Sequence, residues 1–414
     1  MKSLHVLPIA IAALASPLSA QDTTEVAADT GYVEYHEPLI SLPLGIGLRV
    51  PSYDRVNGVT LPWGPQLLTN DETLELNALV SYRSHLGNWD PSLEGYLRPG
   101  TANELKLYVG RGTFTNDSWI RSDLMNSLAT LFVGSDARNY YRSDRASLRL
   151  TRSITVSSVG LTPFIGGSFE RDWSTGFRTV KTPWSFFGRK GDLKMRRDNP
   201  PVATGHIGSI LGGTGFQVSK GGLEAKLDVA AEHALSTSFD PSTVTPAYGS
   251  CLSENAPLAS LFAVRSCESF TQITFDSRVT FPTFGAQTFA FTGHALMTGG
   301  GNIPPPQRFG YLGGSGTLAT VDLLALGGDR LLFLQGDYVI PIERIQLPFL
   351  GSPFLALRYA AGSAGVGTLP SLIQNVGVGA GVGFLRVDYT IDPAENRSPV
   401  SRRSAVTFGI SLSL

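Results

Sequence analysis

A chain of 414 residues with a formal net charge of −1 and only 16% charged residues is long enough for several ordinary domains but carries less charge than a water-exposed globule normally does. No basic stripe recurs along it, so the electrostatic footprint of a nucleic-acid binder is missing. After the N-terminus no apolar run reaches the roughly 20 residues that a membrane-spanning helix needs, which excludes a helical membrane protein.

The chain opens with Met1-Lys2-Ser3, a mostly apolar run over 4–15, and Ser16-Pro17-Leu18-Ser19-Ala20 before Gln21. This is the charged start, short apolar region and small-residue exit of a secretory signal peptide, and cleavage is expected after Ala20. Residues 21–49 are acidic, then punctuated by Pro38 and Pro43, with no sustained period. They are expected to form a short periplasmic segment, since about 30 residues fall short of the roughly 50 of an independent domain. Cys251 and Cys267 are the two cysteines; in an oxidising compartment after export, a single bridge pinning one loop is expected.

From residue 50 onward the pattern is that of strands. Candidates lie at 55–61, 74–83, 92–98 and 104–112; residues 116–131, apolar at Trp119, Ile120, Leu124, Leu128 and Leu131, fit a short helix better. Strands follow at 139–155 and 160–173, then at 206–219, 222–236, 270–281 and 286–298. Five more occupy 330–342, 353–364, 373–382, 384–391 and 404–414.

The alternation tells which face is apolar. Leu385, Val387, Tyr389 and Ile391 alternate with Arg386, Asp388 and Thr390, while the strand from Leu223 carries Glu224, Lys226, Asp228 and Glu232 on its other face. Lipid outside and a charged, wet lumen inside suit such strands. In the last strand Val406, Phe408, Ile410, Leu412 and Leu414 share one parity, against Thr407, Gly409, Ser411 and Ser413. A terminal strand of this kind finds its second neighbour by pairing with the first strand in a closed barrel.

The candidates number fifteen, whereas exported single-chain barrels have an even number of strands. Taking 174–204 and 237–268 as outer loops, and 220–221 and 282–285 as inner turns, an odd number of strands must precede Trp173. The missing strand is expected between Thr113 and Tyr140. The expected fold is therefore all-β, a sixteen-stranded antiparallel transmembrane β-barrel over 50–414.

Residues 299–318 are too rich in glycine and proline for a strand and too apolar for a simple solvated loop. Pro306-Gln307-Arg308-Phe309, followed by Leu312-Gly313-Gly314-Ser315-Gly316-Thr317-Leu318, resembles the sixth outer loop of the Omp85 superfamily, the bacterial surface antigen D15 group that includes BamA and TamA. Five strands remain after it, as in that family. Ser52-Tyr53-Asp54-Arg55-Val56-Asn57-Gly58 resembles the start of the family's first strand, and Phe408-Gly409-Ile410 through Leu412 and Leu414 is similar to its C-terminal assembly signal.

The resemblance implies an outer-membrane location, a loop folded into the lumen, the barrel assembly machinery as a partner during biogenesis, and outer-membrane lipids and proteins as contacts or clients. The chain departs from the family twice. The 21–49 segment has no room for the periplasmic POTRA repeats, and the Arg-Gly-aromatic loop tip is replaced by Ala319-Thr320-Val321. Asp337 stands on the lumenal parity where a partner for the loop arginine is expected. Arg308 is the substitute at hand, although a solvated structural arginine is the plainer reading.

Catalysis finds little support. There is no Gly-x-Ser-x-Gly elbow, and His36, His85, His206, His233 and His294 are scattered without metal-site spacing. His294 is expected to be a lumenal polar residue, and no metal or cofactor is called for. The glycine run 377–383 is expected to mark a sheet bend or a close contact with a loop. The basic segment with Arg178, Lys181, Arg189, Lys190, Lys194, Arg196 and Arg197, interleaved with Trp184, Phe186 and Phe187, suits a solvated loop with interfacial aromatics, or contact with anionic head groups. The function expected is outer-membrane protein or lipid assembly or translocation; the alternative is a passive pore or structural barrel.

Overall fold

The computed structural model describes residues 40–69, 73–98, 102–175, 184–187, 197–240, 243, 269–299, 302–348, 351–383, 385–394 and 400–410. One antiparallel sheet of nineteen strand segments makes the wall. Two pairs of those segments continue each other in register, and a third pair runs along the same neighbour with its register shifted, which leaves sixteen wall strands.

The first strand, β1, is broken. Ile40–Ser41 pair with 66–67, Leu48 bridges Trp63, and Ser52–Asp54 pair with 58–60. Its partner β2 comprises Gly58–Trp63 and Gln66–Leu68. Then come β3 (Leu74–Arg83), β4 (Asn88–Leu97) and β5 (Asn103–Phe114). A short helix α1 (Asp123–Leu128) runs on into a π turn (Ala129–Val133). Next are β6 (Tyr141–Arg152 with Ile154–Val156), β7 (Val159–Trp173), β8 (Gly205–Lys220), β9 (Leu223–Phe239), β10 (Thr271–Pro282) and β11 (Thr288–Gly299). After the long inner loop the wall resumes with β12 (Arg330–Pro341), β13 (Pro353–Gly365), β14 (Ile373–Val382), β15 (Leu385–Ile391) and β16 (Ser404–Ile410).

The strand number agrees with expectation, and so does the odd number of strands before Trp173. The location of the missing strand does not. Residues 115–140 hold helix, not strand, and the extra strand is β1, lying partly in the segment expected to be periplasmic. Its period is hidden because Pro43 and Pro51 interrupt it, with a 3-10 turn at Pro43–Gly45. The wall accordingly begins at Ile40, ten residues before the expected boundary.

The pattern is inverted relative to a protein in water. On β15, Leu385, Val387, Tyr389 and Ile391 are 39–50% exposed, while Arg386, Asp388 and Thr390 between them are 7% exposed or less. Val406 and Phe408 on β16 also point outward. An apolar outer face around a polar interior is what a hydrocarbon surrounding selects, because only there does water favour the inside. Among the described residues no helix is long and apolar enough to cross a membrane, and the crossing falls to the strands.

The wall is curled. Residues 302–329 touch side chains of β7, β9, β10, β12, β13 and β14 at once, and the segment leading into β16 as well. A single loop reaches all of these only from inside a rolled sheet. Among the described residues no ladder joins β16 to β1, so β16 pairs with β15 alone and β1 with β2 alone.

Candidate functional site: a loop bolted inside the lumen

The inner loop enters through Pro306–Arg308, a 3-10 turn whose three residues are all buried. Arg308 is its anchor. Its Nε donates to Glu232 Oε2 at 2.9 Å, and its Nη2 to Glu232 Oε1 at 3.1 Å and Glu170 Oε2 at 3.0 Å. Nη1 reaches the Tyr141 hydroxyl at 3.3 Å, and Gln272 Nε2 donates to the Arg308 carbonyl at 3.1 Å. Glu170 also accepts from Arg145 Nη2 at 3.1 Å, and Ser209 Oγ donates to Glu232 at 2.7 Å. Two guanidinium groups thus face two carboxylates, with hydroxyl and amide donors filling the remaining sites, which is what a buried ionic cluster requires.

This corrects two expectations. Arg308 is not a solvated arginine, being 5% exposed, and its partners are Glu170 and Glu232 instead of Asp337. Asp337 pairs within the wall: Arg358 Nε donates to its Oδ1 at 2.9 Å and Arg386 Nη2 at 2.8 Å. Arg386 Nε also donates to Asp388 Oδ1 at 2.7 Å. The carboxylates that hold the loop had a readable signal. In Phe169-Glu170-Arg171-Asp172 the lumenal parity carries two acids and the outward parity carries the arginine, so a cation had to come from elsewhere.

The neighbouring Gln307 is held as firmly. Its Nε2 donates to Asp172 Oδ2 at 3.2 Å and to the Ala203 carbonyl at 3.0 Å, and its Oε1 accepts from the Ala203 N–H at 3.1 Å. Asn116 Nδ2 donates to the Gln307 carbonyl. Phe309 packs with Tyr311 and Leu324, and Gly310–Leu312 pair with Leu326–Gly328 in a small ribbon of their own.

The glycines of the motif are forced by close approach. A Cβ on Gly313 would sit 2.0 Å from the Asp322 carbonyl oxygen, and one on Gly314 would meet Leu323; both residues, and Gly316, have positive φ. The turn they make closes on itself, with the Gly313 N–H on Thr317 Oγ1 at 2.9 Å and the Gly314 N–H on the Leu318 carbonyl at 3.0 Å. Arg121 Nη2 donates to the Ser315 carbonyl and hydroxyl, each at 2.7 Å. Leu312, Leu318 and Val321 then bury against Leu296, Leu331, Phe333, Ala360 and Ala364 on the inner wall. Trp119 packs against the same cluster and stacks on His294 at 3.9 Å between ring centroids. The His294 Nδ1 lies 2.7 Å from Asp276 Oδ1.

At the Ala319-Thr320-Val321 apex, Thr320 makes the docking. Its N–H donates to Asn375 Oδ1 at 3.1 Å, its Oγ1 accepts from Asn375 Nδ2 at 2.8 Å, and its carbonyl accepts from the Arg402 N–H at 2.8 Å. Val321 bridges Ser401. The loop apex is therefore tied to β14 and to the residues that lead directly into β16.

Above the lumen the 52–58 motif is fixed by other loops. Arg55 is fully buried, donating through Nη1 to the Arg197 carbonyl at 2.6 Å and through Nη2 to Asn199 and the Arg138 carbonyl. Arg197, expected in a solvated basic loop, turns inward onto Asn139 and the Arg138 carbonyl. Arg178, Lys181, Arg189, Lys190, Lys194 and Arg196 lie outside the described residues. So do Cys251, Cys267, Leu412, Leu414 and the 1–20 segment. Trp184 and Phe187 are exposed, and Phe186 stacks on Phe132.

Asp117 lies between this layer and the inner loop. Burial pushes its carboxyl up to about 7, against the pull of the Asn139 N–H at 2.8 Å and of Arg197 and Arg138. The glycine run has its reason too. Cβ atoms on Gly377, Gly379 and Gly381 would meet Thr390, Asp388 and Phe354 at 2.9, 2.2 and 2.4 Å. Bare backbone on β14 leaves room for the side chains of its neighbours to lie across it.

No family model and no curated protein matches the chain. Solved structures do. The BamA barrel from Haemophilus ducreyi, in a form lacking POTRA domains 1–3, is similar over 87% of this chain and 68% of that one, with a TM-score of 0.50 and 10% identity. CdiB from Escherichia coli covers 88% of this chain with a TM-score of 0.45 and 10% identity, and CdiB from Acinetobacter baumannii 87% with 0.45 and 12%. The chain spans 60% and 58% of the length of those two CdiB chains. With sixteen antiparallel wall strands, an inverted polarity and an inner loop between β11 and β12, the chain has the fold of the BamA barrel.

Proposed function

We propose that the protein is an outer-membrane barrel of Omp85 type in which a permanently docked inner loop fills the lumen and the seam between β16 and β1 is the working part, in the assembly or translocation of outer-membrane proteins or lipids. The observation that carries this reading is the Arg308–Glu170–Glu232 cluster. A passive pore gains nothing from burying an arginine against two carboxylates to hold a loop across its own channel, since such clusters are costly to assemble. The loop's second attachment, Thr320 to Asn375 and Arg402, reaches the residues that lead into the strand bordering the seam and supports the same reading.

Two measurements test it. Single-channel recording in planar bilayers should find the wild-type chain closed or nearly so, and a wide steady current would favour the pore. A disulfide engineered between β1 and β16 should leave the barrel folded while changing the levels of other outer-membrane proteins in cells. Unchanged levels, both with the disulfide and on loss of the protein, would sink the assembly role.

A further inference from the structure

The free edge of β1 is not uniformly free. In the β1–β2 ladder Tyr53 stands opposite Val59. Val59 turns its own N–H and C=O toward β3, to Ser84 Oγ at 2.8 Å and the Ser84 N–H at 3.0 Å. Tyr53 and Val59 are thus a non-hydrogen-bonded pair, whose members both point their backbone groups away from each other. The N–H and C=O of Tyr53 therefore face the seam.

Both groups are taken by one side chain. Ser127 Oγ, on α1, accepts from the Tyr53 N–H at 2.7 Å and donates to the Tyr53 carbonyl at 3.1 Å. A single hydroxyl thus stands in for the ladder partner. The Tyr53 ring is clamped from the same quarter, its hydroxyl donating to the Trp184 carbonyl at 2.7 Å and accepting from the Trp184 N–H at 2.8 Å. Pro51, just before the paired Ser52–Asp54 segment, has no N–H to offer a further strand.

We infer that α1 is an edge guard: Ser127 at Tyr53, with Pro51 below it, closes the loop end of the first strand to strand addition, so that the chain's own last strand zips along β1 only short of Pro51. Directionality fits that occupant. β1 runs toward the outer loops and β16 away from them, so the two are antiparallel across the seam. The start of β16 is also held at the same end of the barrel by Thr320 and Arg402. The guard leaves the lower edge open and the upper edge satisfied without a strand, which bounds the register over which any strand pairs there. This inference concerns the geometry of the seam and is independent of what the seam handles.

Single-amide hydrogen exchange on the full chain in lipid nanodiscs tests it. Ser127→Ala should speed exchange of the Tyr53 amide at least about tenfold, with Leu61, whose N–H faces β3, unchanged. Ser127→Thr, which keeps a hydroxyl, should retain the protection. A Tyr53 amide equally protected in Ser127→Ala would mean that a strand pairs with it, and would overturn the guard. If Ser127→Ala loosens Leu61 as well, Ser127→Thr decides: protection kept supports the guard, protection lost overturns it.

Discussion

Two ionic clusters of similar chemistry line the lumen and do different work. Arg308 with Glu170 and Glu232 joins a loop to two separate wall strands, so its free energy depends on the loop staying in place. Asp337 with Arg358, Arg386 and Asp388 lies wholly on β12, β13 and β15, spanning the bare glycines of β14. The first is a bolt and the second a brace. What separates them is topology: the bolt ties a loop to the wall, whereas the brace ties wall strands to one another.

The largest expected effect breaks the bolt. Arg308→Ala leaves Glu232 without a cation and Glu170 with Arg145 alone, and should cost the docked loop about 3–5 kcal/mol. It should appear as a lower unfolding temperature in heat-modifiable gel mobility and as new conductance in bilayers. Arg308→Lys, unable to fork between two acids, should fall between alanine and wild type.

The second tests the docking of the inner loop by pH. Burial beneath the inner loop raises the Asp117 carboxyl to about 7 from an unfolded value of about 3.9. A raised folded-state value means that its contribution is complete below about pH 4 and is lost as pH climbs through about 7, with a slope of at most ~1.4 kcal/mol per pH unit. Protection of the inner loop from protease should therefore decline between those limits. Asp117→Asn should flatten the decline, and a slope unchanged by the substitution would assign the pH dependence elsewhere.

A third prediction tests the brace sterically. A Cβ on Gly379 would lie 2.2 Å from Asp388 Oδ1, so Gly379→Leu should cost about 1–3 kcal/mol in barrel stability, read by the same gel assay without new conductance. The smallest effect is expected from Asp337→Asn. Arg386 keeps Asp388 at 2.7 Å, and the loss should be about 1.5 kcal/mol. If this substitution proved as damaging as Arg308→Ala, the distinction between bolt and brace would collapse.

The sequence made much of this legible. The period of two on β9, β15 and β16 gave the inverted polarity, and the loop-length parity required an odd number of strands before Trp173. It failed at β1, where Pro43 and Pro51 erase the alternation, so the missing strand was sought in residues that form α1. It failed again at the loop arginine. Arg308, Asp337, Glu170 and Glu232 all have lumenal parity or a loop position, and parity alone does not say which acid faces which base across an open lumen.

By itself, then, the sequence determined the local physics: which residues face hydrocarbon, which face water, and which glycines allow a tight turn. These follow from interactions between near neighbours on one strand or in one turn. Pairing across the lumen was decided only by tertiary structure, because it depends on how far the sheet curls and where a thirty-residue loop comes to rest. The capture of the Tyr53 edge by Ser127 belongs there as well. A serine on a short helix and a tyrosine 74 residues earlier carry no sequence signal of each other, and only the folded barrel brings the hydroxyl to the open edge.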